Sequence, residues 1–300
     1  MYDVIIIGGG PAGLTAATYL RRAEKSVLVL EKNAFGGQIT WSPRVENFPA
    51  FVSISGTELG DKLLEQAMEQ GTDVELEEAV GLEKQSDGFH VVCSSGAGYD
   101  AHAVILATGA KPRMLGVENE ERLVGSGVSF CAVCDGAFYK GKQVAVCGGG
   151  NSALQDAVLL SESCSHVTLI HRRDSFRGEA RLVEVLKGKA NVDFVLGAAV
   201  TALCGEDEVT GLIVEQNGQR REIPVEGVFI AVGHEPDHAA FSAWLKLDRA
   251  GYADSAEDCL TQTPGLFVAG DCRAKGVRQL TTAVADGAVA ALAACRYLDN

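Results

Sequence analysis

A chain of 300 residues is long enough for about two domains with separate cores, which excludes a peptide or a small disulfide-held module. Hydrophobic residues make up 47% and charged residues 22% of it, without long stretches of biased composition, so we expect folded structure throughout. The net charge of -14 and the lack of an apolar run of ~18–20 residues predict no nucleic-acid partner, no membrane partner and a cytoplasmic location.

The first 31 residues have the pattern of a dinucleotide-binding βαβ unit. Residues 3–7 form an apolar, β-branched run, typical of a strand buried on both faces. The glycine-rich loop Gly8-Gly-Gly-Pro-Ala-Gly13 follows at once, a helix is predicted through Arg22, and residues 27–31 form a second strand. A bare glycine-rich turn is the alternative, but strand, loop, helix and strand in this order favour a nucleotide site.

Each landmark of this unit has a physical task. Gly8 permits the tight turn, Gly10 lets the backbone approach a pyrophosphate, and Gly13 allows the helix to pack closely on the strand. The helix N-terminus then faces the anion. Glu31 ends the second strand, where an acidic side chain binds ribose hydroxyls.

The same pattern recurs 140 residues later, with the loop Gly148-Gly-Gly-Asn-Ser-Ala153. Alanine in the third glycine position is tolerated by its packing role. In the register of Glu31 the second unit has His171, followed by Arg172 and Arg173, with Arg177 nearby. A carboxylate would repel a ribose 2′-phosphate, whereas guanidinium groups bind it.

The second unit is therefore predicted to prefer NADP(H) over NAD(H); the alternative is a solvated charge pair at the end of a strand. Apolar runs at residues 103–109 and 227–233 close the two units. The first unit is about 16 residues longer, which we place in a polar, turn-rich segment at 35–57. Residues 74–99 and 192–223 have the alternation and turns of small sheets appended to each unit.

Only one pair among the nine cysteines is closely spaced, Cys131 and Cys134, directly before Asp135. A zinc site normally shows a second such pair, so we predict no metal. A dithiol that relays electrons fits an intracellular chain with two dinucleotide folds better. Asp135 is either a turn residue before Gly136 or the proton donor and acceptor for thiolate exchange.

Taken in order, these motifs resemble the low-molecular-weight thioredoxin reductases, a family of FAD- and NADPH-dependent disulfide reductases, over essentially the whole chain. The segments that carry the resemblance are Gly8–Gly13, Gly36-Gly-Gln38, Val45-Glu-Asn-Phe-Pro49, Ala107-Thr-Gly109, Cys131-Ala-Val-Cys-Asp-Gly136, Gly148–Ala153, His171-Arg-Arg-Asp-Ser-Phe-Arg177, Gly270-Asp-Cys272 and Arg278-Gln-Leu-Thr-Thr282.

The resemblance implies an α/β fold of two Rossmann-like domains, each three-layered around a parallel sheet with a small appended β-sheet, the second inserted into the first. The expected domains are 1–113 and 237–300 for FAD and 114–236 for NADPH and the Cys-x-x-Cys motif, with hinges near 111–115 and 233–237.

Sixteen residues are expected at the FAD: Gly8, Gly10, Pro11, Ala12, Gly13, Glu31, Lys32, Gly37, Gln38, Asn47, Thr108, Gly109, Asp271, Arg278, Gln279 and Leu280. Nine are expected at the NADPH: Gly148, Gly150, Asn151, Ser152, Ala153, His171, Arg172, Arg173 and Arg177.

By the same resemblance, hydride passes from NADPH to the flavin, the flavin reduces the Cys131–Cys134 disulfide, and the dithiol reduces thioredoxin or a similar small redox protein. Cys134 would face the flavin, Cys131 would attack the partner, and Asp135 would manage the proton. A homodimer is also implied. Ala137 and Ser126 depart from the family pattern near the expected docking region, which leaves the acceptor open.

Two alternatives remain. The first is a flavin disulfide reductase of the same fold that takes electrons from ferredoxin, but Arg172, Arg173 and Arg177 would then have no role. A flavin-binding redox sensor or interaction module would use the dithiol to signal without turnover.

Overall fold

The computed structural model describes all residues, 1–300, and divides the chain into two compact units. The first contains Met1–Lys111 and Glu235–Asn300, and the second is the continuous segment Pro112–His234. No helix has the length and apolar content needed to cross a bilayer.

Six α-helices and seventeen strands, many of them short, make up the two units. The helices are α1 (Pro11–Arg22), α2 (Gly56–Glu69), α3 (Ala132–Asp135), α4 (Asn151–Ser161), α5 (Ala180–Lys187) and α6 (Leu280–Leu298). The strands are β1 (Tyr2–Ile7), β2 (Val27–Glu31), β3 (Asp73–Leu76), β4 (Ala79–Gln85), β5 (Gly88–Cys93), β6 (Gly98–Leu106), β7 (Ala110–Pro112), β8 (Val128–Ser129), β9 (Gln143–Cys147), β10 (His166–His171), β11 (Val192–Leu196), β12 (Ala198–Cys204), β13 (Gly211–Gln216), β14 (Gln219–Pro224), β15 (Gly227–Ile230), β16 (His234–Pro236) and β17 (Leu266–Val268).

The first unit is built on one sheet in the order β3-β2-β1-β6-β5-β4, with β17 beside β6. Both faces of β1 are buried, because Val4 and Ile6 join the core under α1 and α6 while Ile5 and Ile7 join a second core on the opposite face. A strand covered on both faces reads as an unbroken apolar run, which is why residues 3–7 were recognisable in the sequence.

A separate small sheet was expected for residues 74–99, and the structure differs there. The hairpin of β4 and β5 continues the main sheet, because the nine-residue β6 pairs with β5 near its start, with β1 from Ala101 onward and with β17 near its end. Ala101 of β6 pairs antiparallel with Phe89 of β5 and parallel with Tyr2 of β1. β3 belongs to the parallel part of the same sheet.

The second unit has a five-stranded sheet in the order β11-β10-β9-β15-β8, in which all pairings are parallel. α4 packs on one face through Leu154, Ala157 and Leu160. The antiparallel sheet β12-β13-β14 contributes Leu203 and Leu212 to the core on the other face. The expected α/β fold, with parallel strands at the centre of each unit's sheet, is confirmed, and in this unit the appended sheet is separate.

Candidate active site

In the first unit, the candidate residues lie at one edge of the sheet. β1, β2, β6 and β17 are parallel, so their carboxyl ends meet at the same edge, where α/β folds bind ligands. The segments that follow these ends are the Gly8–Gly13 loop, Glu31 with Lys32, Thr108 with Gly109, and the short helical turn Gly270–Cys272.

In the Gly8–Gly13 loop, a side chain on Gly8 or Gly13 would clash with the backbone, whereas Gly10 has free space beside it. A Cβ on Gly8, whose φ is +113°, would lie 2.3 Å from the Ala107 carbonyl oxygen, and one on Gly13 would lie 1.9 Å from that of Gly8. Gly10 begins α1 without a side-chain cap, and a Cβ there would meet only the Gly37 Cα, at 3.9 Å. The N-terminus of α1 is thus open to an anionic group.

Glu31 is held rigidly at the end of β2. One carboxylate oxygen accepts from the Gly9 amide at 2.8 Å and the other from the Asn33 amide at 2.9 Å. The neighbouring Lys32 is directed to a carboxylate that the sequence did not indicate, because its Nζ lies 2.5 Å from Asp237 Oδ2. Lys111 binds the same oxygen at 3.1 Å.

Gln38, Asn47 and Gln279 are all engaged by the protein itself. The Gln38 amide donates to the Ala110 carbonyl at 2.8 Å, and the Asn47 amide lies 3.5 Å from the Gln279 side-chain oxygen. Gln279 also caps α6 through a reciprocal pair of bonds with Thr282. Leu280 packs on a small apolar cluster formed by Val45, Ile54 and Leu59.

Arg278 and Asp271 meet beside the start of α6. Arg278 Nε donates to the Asp271 carbonyl at 3.2 Å, and its guanidinium lies 3.8 Å from the centre of the Tyr252 ring. These contacts fix the approach to α6 next to the turn that contains Asp271.

A buried ionic cluster behind Asp271 was missed by the sequence analysis. Asp286 of α6 binds Arg273 at 2.6 Å and Lys275 at 3.0 Å, and also accepts from the Gly270 amide. Lys275 lies 3.2 Å from Asp271 Oδ1. The two cations precede α6 by a loop, so helical i,i+4 spacing provides no signal for their pairing with Asp286.

The second unit repeats the open helix start. Gly150 begins α4 without a side-chain cap, and a Cβ there would meet nothing within 4 Å. A Cβ on Gly148 would lie 2.4 Å from the Ala231 carbonyl oxygen, so the backbone leaves no space for a side chain at this position. The Asn151 side chain accepts from the Glu179 amide at 2.8 Å, and Ser152 is exposed beside the buried Ala153.

The end of β10 places a neutral ring under this loop. His171 is buried, stacks on Phe176 and fills the space where a Cβ on Gly149 would lie. Burial and the neighbouring Arg177, Arg173 and Arg172 lower the pKa of His171, so the imidazole is uncharged at neutral pH. Its buried Nε2 has no hydrogen-bond partner.

The three arginines have no acidic partner: Arg172, Arg173 and Arg177 are exposed, and none makes an ion pair. The Arg177 amide is tied to the Gly149 carbonyl at 2.7 Å, which holds the arginine segment against the glycine loop. The predicted NADPH residues are therefore brought together at one edge of the sheet.

The disulfide lies at that same edge. Cys131 and Cys134 are bonded, with their Cα atoms 5.3 Å apart, directly after β8, while the other seven cysteines are thiols. The Cys131 sulfur also accepts the Cys134 amide hydrogen at 3.2 Å. β8 pairs with β15, which pairs with β9, the strand that leads into Gly148.

Asp135 ends α3 and has one side-chain partner, which the sequence analysis missed. Ser129 Oγ donates to Asp135 Oδ2 at 2.6 Å and accepts from the Cys131 amide at 3.1 Å. Burial raises the pKa of Asp135, and the Ser129 hydrogen bond opposes that rise. The only sequence signal was a serine two residues before Cys131.

Two nucleotide-type loops and one vicinal disulfide define a nucleotide-dependent disulfide oxidoreductase, and the pyridine nucleotide-disulphide oxidoreductase family matches residues 2–287. A Clostridium pasteurianum chain described as a 34.2 kDa protein in the rubredoxin operon is 40% identical, covering 99% of this chain and 97% of that protein. The thioredoxin reductase of Listeria monocytogenes is 41% identical, covering 100% of this chain and 95% of that protein. The crystal structure of thioredoxin reductase from Streptococcus pyogenes matches with a TM-score of 0.94 and 39% identity, covering 100% of this chain and 98% of that one.

The chain therefore belongs to the low-molecular-weight thioredoxin reductase family. It is an oxidoreductase that uses FAD and NADPH. The residues present fit both groups: the uncapped start of α1 and the oriented Glu31 suit a dinucleotide with free ribose hydroxyls, and the uncapped α4 with three unpaired arginines suits one with a 2′-phosphate.

Proposed function

We propose that this chain passes electrons from NADPH through FAD to the Cys131–Cys134 disulfide and from there to thioredoxin or a similar small redox protein. The observation that carries the proposal is the disulfide itself, which follows a strand of the same parallel sheet as the Gly148 loop. The acceptor is supported by the names of the relatives, and by Val133, whose side chain is 62% exposed between the two cysteines.

We assign FAD to the first unit and NADPH to the second. The sixteen residues expected at FAD all belong to the first unit, and the nine expected at NADPH belong to the second. In the first, Glu31 would bind ribose hydroxyls and the open N-terminus of α1 the pyrophosphate. In the second, Arg172, Arg173 and Arg177 would bind the 2′-phosphate. The crossings at 111–115 and 233–237 remain the proposed hinges.

The chemistry at sulfur follows from the chain's own groups. Bound FAD supplies two electrons, received as hydride from NADPH. Two electrons and two protons convert the Cys131–Cys134 disulfide into two thiols. The Cys131 thiolate then attacks the partner's disulfide and releases one partner thiol. Cys134 displaces the second, which restores the original disulfide and leaves the partner reduced by two electrons. Asp135 takes and returns the proton at sulfur.

Two further proposals concern the assembled protein. A homodimer is supported by the family resemblance, and light scattering on the purified protein is expected to give twice the mass of the chain. A cytoplasmic location is supported by the seven cysteines that remain thiols.

The test is steady-state NADPH consumption by the FAD-loaded protein with thioredoxin as acceptor. We expect rapid turnover with NADPH as the electron donor and little with NADH. Turnover should not require reduced ferredoxin. Cys134→Ser is expected to keep reduction of the flavin by NADPH, seen as bleaching of its absorbance, and to lose thioredoxin reduction. Turnover by Cys134→Ser would remove the sulfur relay, and flavin reduction without sustained turnover would favour the redox sensor.

A further inference from the structure

A hydroxyl outside the Cys-x-x-Cys motif organises the turn that contains the disulfide. Ser129 is the last residue of β8 and is buried. Its Oγ lies 2.6 Å from Asp135 Oδ2, 3.1 Å from the Cys131 amide nitrogen and 3.4 Å from the Cys131 carbonyl oxygen. One side chain therefore connects the carboxyl group to both backbone groups of the first cysteine.

This arrangement suits either protonation state of Asp135. A serine hydroxyl has one hydrogen and two lone pairs. With Asp135 ionised, the hydroxyl donates to Oδ2 and accepts from the Cys131 amide. With Asp135 protonated, its Oδ2–H donates to Ser129, and the serine hydrogen turns to the Cys131 carbonyl oxygen. The second carboxyl oxygen, Oδ1, is buried without a hydrogen-bond partner.

We propose that Ser129 is a positioning residue, which holds Asp135 in one orientation through both protonation states while the carboxyl group exchanges a proton with the Cys131–Cys134 couple. This inference rests on the proposed disulfide reduction and deepens it. When a thiol of the couple attacks a disulfide, Asp135 takes its proton; when the partner sulfur leaves, Asp135 gives that proton back. The carboxyl group is thus unchanged over one turnover.

The elements that pack around Asp135 carry few other titratable groups. The turn after α3 contributes Tyr139, whose pKa is raised to about 12 by burial and then by Asp135 and Glu208, so it stays neutral. The Lys142 ammonium lies 5.6 Å from the Tyr139 ring centre. α4, which packs against α3, contributes Asp156, whose pKa burial raises to about 6. The pKa of Asp135 itself is raised by burial and lowered by the Ser129 hydrogen bond.

Removal of the hydroxyl has a defined direction. In Ser129→Ala the ionised Asp135 loses its donor while the surroundings stay apolar, so the carboxyl group keeps its proton to higher pH. The pH profile of kcat/KM for thioredoxin is expected to move upward by about one pH unit. Ser129→Thr retains a hydroxyl and is expected to restore the original profile.

The decisive measurement compares Ser129→Ala with Ser165→Ala, which removes an exposed serine hydroxyl elsewhere in the second unit. Ser165→Ala should leave the profile unchanged. Stopped-flow reduction of the flavin by NADPH should be unaltered in both, which shows that Ser129→Ala is folded. In an Asp156→Asn background the shift should persist, since Asp156 is not its origin. An unshifted Ser129→Ala profile would overturn the proposal.

A second readout separates this proposal from the proposed function. The protein is reduced with dithiothreitol, and the rate at which iodoacetamide alkylates its Cys131–Cys134 dithiol is followed against pH by mass spectrometry. Ser129→Ala should move the inflection of that rate upward, and the change should vanish when Asp135→Asn is present. A wild-type protein that reduces no disulfide refutes the function, yet the alkylation profile still decides the role of Ser129.

Discussion

Glu31 and His171 occupy matching positions at the ends of β2 and β10, and their difference separates the two nucleotide sites. Glu31 is a carboxylate fixed by two amides, suited to ribose hydroxyls. His171 is buried and neutral, and the charge is displaced to the exposed Arg172 and Arg173. Discrimination between NADPH and NADH should therefore depend on side chains that do little for the fold.

We predict that Arg172→Ala with Arg173→Ala raises the KM for NADPH by roughly ten- to a hundred-fold, because two charge-assisted bonds to the 2′-phosphate are lost. The KM for NADH should change little. Steady-state kinetics with both nucleotides measure the difference, and Arg221→Ala, an exposed arginine of β14, is the matched control. Equal changes for the two nucleotides would contradict the assignment.

The partly buried carboxyl group of Asp156 makes the free energy of unfolding depend on pH. Burial raises its pKa from 3.8 to about 6 in the folded protein. Between these values the folded chain holds a proton that the unfolded chain has released, so the free energy of unfolding falls as pH rises through this window.

Asp156→Asn, which has no charge to bury, should therefore stabilise the protein by about 1–2 kcal/mol at pH 8 and leave it unchanged at pH 4. Urea unfolding at the two pH values measures this. The exposed Asp207→Asn is expected to have no effect at either pH. Stabilisation of equal size at both pH values would show that ionisation is not the cause.

At the scale of elements, the loop before α1 separates what the fold requires from what the ligand requires. A side chain on Gly13 would overlap the Gly8 carbonyl oxygen, whereas the space over Gly10 is open and its backbone is extended. Gly10 has no structural need to be glycine, so its role is to leave room for a bound group.

We predict that Gly10→Ala folds with normal stability but retains less FAD after purification, since the methyl group occupies the approach of the pyrophosphate. Gly13→Ala should lose about 3 kcal/mol or more of stability through the backbone overlap. Thermal unfolding of the flavin-free protein and the flavin absorbance per chain measure the two effects. A Gly10→Ala variant with full flavin content would contradict the assignment.

Local patterns predicted these elements because their causes are local. β1 reads as a strand from its own apolar residues, and α1 starts where Pro11 follows the glycine loop. The pairing of β6 with β5 as well as with β1 was not predicted, because the partners of β6 are chosen by tertiary packing. The Ser129–Asp135 contact joins residues six positions apart and depends on how the segment between them folds, and the Lys32–Asp237 ion pair joins residues 205 positions apart. Neither leaves a periodic trace in the sequence.

At the scale of the whole molecule, two similar sheets offer two similar ligand edges, and the proposal requires each to take a different nucleotide. A ligand stabilises the structure that binds it, by about 2.7 kcal/mol when its concentration is a hundred times its Kd. Hydrogen exchange of backbone amides reports such stabilisation locally, peptide by peptide.

We expect FAD, added to the flavin-free protein, to slow exchange in peptides that contain residues 8–13 and 270–280. NADP⁺ should slow exchange in peptides that contain residues 148–153 and 171–177. At saturating ligand the slowing should reach about a hundred-fold where exchange requires opening of the bound structure. In the variant with Arg172→Ala and Arg173→Ala, protection by NADP⁺ should disappear while protection by FAD remains. Protection of one unit by both nucleotides, or of the opposite unit by each, would show that the sequence difference at Glu31 and His171 does not decide which nucleotide binds where.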